Sequence, residues 1–468
     1  GAGLACGVLT VVFLWRSTGW QDDIRQRMGM DLVQNPSAIR VVLIASGLAS
    51  VLLLAARTVR LGTRTLDRWI GHFVPRVVAD LTAAFLAGVL VAALFHGLVS
   101  IVFIDAANRI FSLDNRRTEL GVTQPDSPSV SGGPGSLVSW ASLGLEGRSF
   151  TATAPSIANL TAFSGRPALA PVRVYVGLDS ADSPQARAEL AVRELERTGA
   201  FNRKVLAVVA TTGTGWVAPE SASALDYLYN GDTAQVAVQY SYLPSWISFL
   251  VDGSKAIEAD VALNDAVLAH WQALPAAQRP KLVLSGTSLG SYGVEATLQR
   301  ASALPGQIDG ALLIGPTNAN PIWRSLLEAR RPGTPAWQPI VDQDRHVRFG
   351  DSGGVPGQSS ESWPSPRVLY MQNGSDPVAW WSVDLLFSQP DWLDGSRPPD
   401  VSPQMRWYPV VTFCQVTLDL VAQWEVPDGH GHRYVAAPAR GWAEVLPPPG
   451  WTPVDTERLV SVIGPATR

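Results

Sequence analysis

The chain has 468 residues, of which 46% are hydrophobic and 16% charged, with a formal net charge of −4. This is more apolar and less charged than an ordinary globular domain, so part of it is expected in a membrane, and nothing in the charge argues for nucleic acid as a partner. Two cysteines, Cys6 and Cys414, give neither a zinc-ligand spacing nor a disulfide framework.

The sequence begins at Gly1 inside an apolar run without an initiator Met. Residues 1–15 are shorter than the roughly 20 needed to cross a bilayer and read as the remaining part of a truncated helix. Residues 38–56, AIRVVLIASGLASVLLLAA, are long enough, and residues 77–104 are longer still. Three transmembrane helices are therefore expected. The connection between the second and third carries Arg57, Arg60, Arg64, Arg68 and Arg76 against Asp67, whereas Arg16–Pro36 mixes both signs. Positive charge at membrane ends favours the cytoplasm, so the third helix should deliver everything after Ile104 to the extracytoplasmic face of the plasma membrane. Trp20 fits an interfacial anchor in the first connection.

From Thr118 to about Pro171 the composition turns to Ser, Gly, Pro and Ala, as in QPDSPSVSGGPGS. Such sequence cannot fold alone and reads as a connector, although Trp140, Leu143, Leu145 and Phe150 should pack on the next domain. The domains expected are a transmembrane helical domain over 1–110, a connector over 111–170 and a catalytic domain over 171–468.

In the last of these, short β-branched or apolar runs alternate with helical patterns. The runs are Pro171–Leu178, Val205–Val209, Ala234–Tyr240, Lys281–Leu284, Gly310–Ile314 and Arg367–Met371; the helical patterns include Pro184–Thr198 and Ser254–Leu274. Alternation of this kind predicts an α/β fold with a mostly parallel, doubly wound sheet.

The run KLVLS continues into Gly286-Thr287-Ser288-Leu289-Gly290. A G-x-S-x-G pentapeptide between a strand and a helix is a nucleophile elbow, whose glycines allow close backbone approach around a strained serine. Ser288 is the candidate nucleophile. A hydroxyl needs a base to take its proton, and the base needs an acid to hold its tautomer. Asp376 follows the strand RVLYM in QNGSDPVAWW and is the candidate acid. The base comes from Asp428-Gly429-His430-Gly431-His432, where His430 is preferred because it follows the Asp-Gly turn, with His432 as the alternative. For the oxyanion, donors are expected from the N–H of Leu289 and from Thr212 and Gly213 in the loop after VLAVV. No metal or other cofactor is expected.

The elbow GTSLGSYG, the run VQYSYLPSWISFLVDGSKA, the acid stretch NGSDPVAWW, the end GHGHRY and the apolar N-terminal segments together resemble the actinobacterial membrane-anchored α/β-hydrolase family. The resemblance implies an N-terminal helical membrane domain joined to an α/β-hydrolase domain with serine-hydrolase activity. The function expected is ester hydrolysis through Ser288, His430 and Asp376, with the lipid bilayer and an apolar or lipid-like ester as partners and 17 tryptophans to line the pocket or meet the membrane. An envelope acyltransferase with the same residues, or a non-catalytic membrane scaffold, are the alternatives.

Overall fold

The computed structural model describes residues 103–301, 306–341, 345–356 and 362–464, together with 19–32 and scattered positions between 12 and 97. The helices expected over 1–15, 38–56 and 77–104 fall largely outside the described residues. Among the described residues no helix is long and apolar enough to cross a membrane. The chain divides into two compact units, residues 1–26 with 31–111, and residues 27–30 with 112–468.

The second unit is built on a seven-stranded sheet of β1 (Val172–Val176), β2 (Val205–Ala210), β3 (Thr233–Val238), β4 (Lys281–Thr287), β5 (Gly310–Ile314), β6 (Val347–Gly350) and β7 (Arg367–Met371). Its order is β1-β3-β2-β4-β5-β7-β6, with every neighbouring pair parallel. Every residue of β1, β2, β3 and β5 is buried; β2 and β5 accordingly read as unbroken apolar runs, whereas β1 and β3 bury Arg173 and Gln235 among their apolar residues. Helices α1 (Gly144–Ala152), α2 (Pro184–Arg197), α3 (Pro219–Leu228), α4 (Gly253–Ala273), α5 (Leu289–Ala301) and α6 (Ala437–Val445) flank the sheet.

The register sets where chemistry can collect. Ala210 pairs with Gly286, Thr287 with Ile314, and Ile314 with Met371, so β2, β4, β5 and β7 end level with one another. The loops leaving these ends converge at the carboxyl edge, where open α/β sheets bind their ligands.

Two sequence expectations change. The stretch QDRHVRFG, where no strand was expected, contains β6, an edge strand that among the described residues pairs only with β7. Four residues long and with Arg348 in second place, it lacks the pattern of a longer, apolar strand. The Ser/Gly/Pro-rich stretch is also more than a connector. Val130 bridges Arg173 of β1 in parallel, and Val138, Leu143 and Phe150 are buried in the same core as the strands. Glu194 of α2 clasps it, accepting hydrogen bonds from Ser136 Oγ at 2.6 Å and Leu137 N–H at 3.0 Å. Arg173, fully buried, pairs with Asp226 at 2.8 Å and donates to the Phe150 carbonyl at 2.9 Å, tying α1 to β1 and α3.

Candidate active site

Ser288 stands between β4 and α5 with φ +55°, a left-handed conformation that a serine adopts only where its surroundings impose it. The two glycines of the pentapeptide explain how. A Cβ on Gly286 would lie 2.4 Å from the Gly290 carbonyl oxygen, and one on Gly290 would lie 2.4 Å from the Ala210 carbonyl oxygen. Only bare backbone lets the turn close on itself and seat α5 against the end of β2. The Ser288 N–H donates to Ile314 O at 2.8 Å, and the Ser288 carbonyl accepts from Ser291 N–H at 2.9 Å. Its side chain remains partly open to solvent.

Asp376 leaves the end of β7 fully buried and caps the short helix Pro377–Trp380, with Oδ1 accepting from Val378 N–H at 2.9 Å. Its other oxygen accepts from His432 Nδ1 at 2.8 Å and from the Tyr434 hydroxyl at 2.7 Å. Tyr434 in turn accepts from Asn373 N–H at 2.8 Å. Burial, and Asp376 beside it, push the Tyr434 phenol well above its ordinary range, so it stays protonated and donates. With Nδ1–H turned to the carboxylate, Nε2 of His432 carries the lone pair, and among the described residues this buried nitrogen has no hydrogen-bond partner.

The imidazole of His432 rests on Gly315, the residue after the one whose carbonyl holds Ser288. A Cβ on Gly315 would lie 2.6 Å from His432 Cε1. Serine and imidazole thus flank the same dipeptide, Ile314–Gly315. Edge-on contacts from Trp424 (centroids 5.4 Å apart) and Tyr434 (5.7 Å) hold the ring from its sides.

The preference for His430 as the partner of Asp376 is corrected. Its Nδ1 is 2.8 Å from Asp400 Oδ2, the oxygen that also accepts from Ser375 Oγ. Ser375 Oγ accepts from Gly431 N–H at 2.9 Å, and Asn373 Nδ2 donates to Gly431 O at 3.0 Å. The Asp428 carboxylate closes the turn by accepting from Val435 and Ala436 N–H. With Gly429 and Gly431 both at positive φ, the turn sends the first histidine to Asp400 and the second to Asp376.

Leu289 is the first residue of α5, and the first N–H groups of a helix have no intrahelical partner. Thr212 and Gly213, expected as oxyanion donors, have other acceptors in this structure: the Thr212 N–H donates to Trp216 O within the loop at 3.0 Å and the Gly213 N–H to Ser245 Oγ of another segment at 3.4 Å. That loop is braced from outside by Tyr175 OH donating to Gly215 O at 2.8 Å, Gln239 Nε2 donating to Thr214 O at 2.7 Å, and Thr214 Oγ1 donating to Glu146 at 3.3 Å. Burial raises the Glu146 carboxyl to about 7. Sequence reasoning missed Tyr434, Asp400 and Gly315; the i, i+2 spacing of His432 and Tyr434, which puts alternate residues on one side of an extended chain, is the signal that could have found the first.

The family model of the alpha/beta-hydrolase family matches residues 172–459, more than half of the chain. The chain belongs to this alpha/beta-hydrolase family. A second model, the N-terminus of the same alpha/beta-hydrolase family, matches residues 2–155. No curated protein and no solved structure matches this chain. Family membership and the parallel sheet agree on an α/β-hydrolase fold and on hydrolase or related chemistry.

Proposed function

We propose that the chain is a serine hydrolase that cleaves ester bonds through an acyl-enzyme. Ser288 Oγ attacks the acyl carbon while His432 Nε2 takes its proton, and the protonated imidazole then gives that proton to the departing alkoxide. Asp376 holds the imidazole through Nδ1 and stabilises its charged form. The Leu289 N–H meets the oxyanion, a contact whose loss typically costs about 2.7–4 kcal/mol of barrier. Water, deprotonated by the same Nε2, releases the acid and regenerates the serine. The observation that carries this reading is the buried Asp376–His432 hydrogen bond, with Nε2 unpartnered among the described residues and the left-handed Ser288 held by the same Ile314–Gly315 backbone that the imidazole rests on.

The reading also holds the enzyme at a membrane with its catalytic unit outside. The apolar runs at 38–56 and 77–104 and the arginine-rich connection between them support it. The full chain in detergent tests the chemistry: a fluorophosphonate probe should label it and butyrate esters should be cleaved, and Ser288→Ala should lose both. Equal labelling of Ser288→Ala would sink the assignment. Transfer product exceeding free acid, with an alcohol present, would make the enzyme an acyltransferase instead.

A further inference from the structure

A cavity of about 190 Å³ opens at the candidate site, lined by Thr287 directly before Ser288, by Ile314, whose carbonyl holds the serine, and by His432. An apolar cavity of about 150 Å³ is filled by one benzene, so this one takes roughly eight carbon atoms. Toward the sheet it has little room to grow. Behind Thr287 and Ala218 the remaining void is about 10 Å³, roughly one water. Trp442 closes that end, buried and fixed by its Nε1 donating to Ser221 O at 3.1 Å.

Trp216 meets Trp424 edge-on at 6.3 Å, and Trp424, exposed on its outer side, abuts His432 at 5.4 Å, so the two indoles form the side wall next to the imidazole. Glu220 and Arg433 also line the cavity. Burial raises the Glu220 carboxyl. A long alkyl chain laid past these two groups would strip water from them without offering a hydrogen bond in return, which is unfavourable.

We propose that this site takes short acyl groups, up to about eight carbons, and excludes the long chains of membrane lipids. The proposal rests on the serine-hydrolase reading. It divides the roles of the chain's apolar parts: the N-terminal runs serve the membrane, and the pocket serves a small acyl group.

The test is a series of p-nitrophenyl esters from acetate to palmitate, given to the full chain in one detergent, with Ser288→Ala as the blank. Ser288-dependent kcat/KM should peak between butyrate and octanoate and fall at least about tenfold at laurate and palmitate, the scale on which a pocket discriminates methylenes. Val435→Phe keeps the backbone N–H that Asp428 accepts and fills the cavity from a lining position. It should lower the octanoate-to-acetate ratio about tenfold, and a ratio taken on one preparation does not depend on how much of the variant folds. Laurate or palmitate turned over as well as hexanoate, or an unchanged ratio in Val435→Phe, would overturn the chain-length proposal while leaving the hydrolase reading intact. Loss of Ser288 dependence for every ester would instead overturn the hydrolase reading and this proposal with it.

Discussion

Gly315→Ala puts the proposed base under direct pressure. The residue has φ +56°, and a Cβ there would stand 2.6 Å from His432 Cε1, 2.9 Å from Tyr434 Cε2 and 3.0 Å from His432 Nδ1. Carbon atoms pack best at about 3.5–4.0 Å, so the imidazole must recede by roughly 0.9 Å or more. Asp376 limits that retreat, because the 2.8 Å bond to Nδ1 lengthens as the ring leaves. A displacement of about 1 Å at a reacting group costs on the order of 10²-fold in rate, which sets the expected drop in kcat. The left-handed backbone adds about 1–2 kcal/mol of destabilisation for an alanine, a fall in Tm of a few degrees. The assay is kcat for p-nitrophenyl acetate, normalised to the serine titrated by a fluorophosphonate run to completion. A normalised kcat within about threefold of the parent would refute the placement of His432 against Gly315 as the base.

His432→Ala should lower kcat by about 10²–10⁴-fold, the usual range for a general base. His430→Ala, which leaves the Asp376–His432 bond in place, should cost less than about tenfold and lower Tm, since Asp400 loses a partner. The opposite order of kcat losses would return the role to His430. Glu146 gives a pH prediction: its carboxyl titrates at about 7 when folded against an ordinary 4.5, because burial disfavours the charge. The folded chain therefore holds this proton more tightly than the unfolded chain, and stability falls as pH rises from about 4.5 to about 7, with the full penalty present above that. Glu146→Gln should remove this component from a plot of Tm against pH, and an unchanged slope would show that the destabilisation comes from another group.

The fold was readable where physics is local. A parallel strand buried on both faces favours apolar residues along its length, so VLAVV and GALLI announced themselves, and the glycines at 286 and 290 gave the elbow because its backbone crowding tolerates nothing larger. Reading failed where the outcome depended on partners far along the chain. His430 and His432 share a glycine-rich setting, and which one meets Asp376 is decided by Asp400 and Ser375, residues whose relation to the turn exists only in three dimensions. Thr212 and Gly213 sit in the expected loop, but the direction of an N–H depends on how the turn closes, here toward Trp216 O and Ser245. The stretch after Thr118 looked unable to hold itself together, which is sound for the segment in isolation. What it gains comes from Glu194 and Arg173, carried on elements later in the chain.

That borrowed stability bears on how the two halves of this protein are inherited. The N-terminal family model runs to residue 155, yet residues 112–155 lie in the same compact unit as the sheet, bridge its outermost strand β1 at Val130, and occupy its core with Leu143 and Phe150. A chain started at Pro171 would bare an edge strand ready to pair with its neighbours and would leave Glu194 and Arg173 buried without several of their partners. The seam between the two family models therefore crosses a packed interior rather than a hinge. Exchange of the N-terminal part at that seam would break this packing, so the regions matched by the two models are expected to be inherited as one piece.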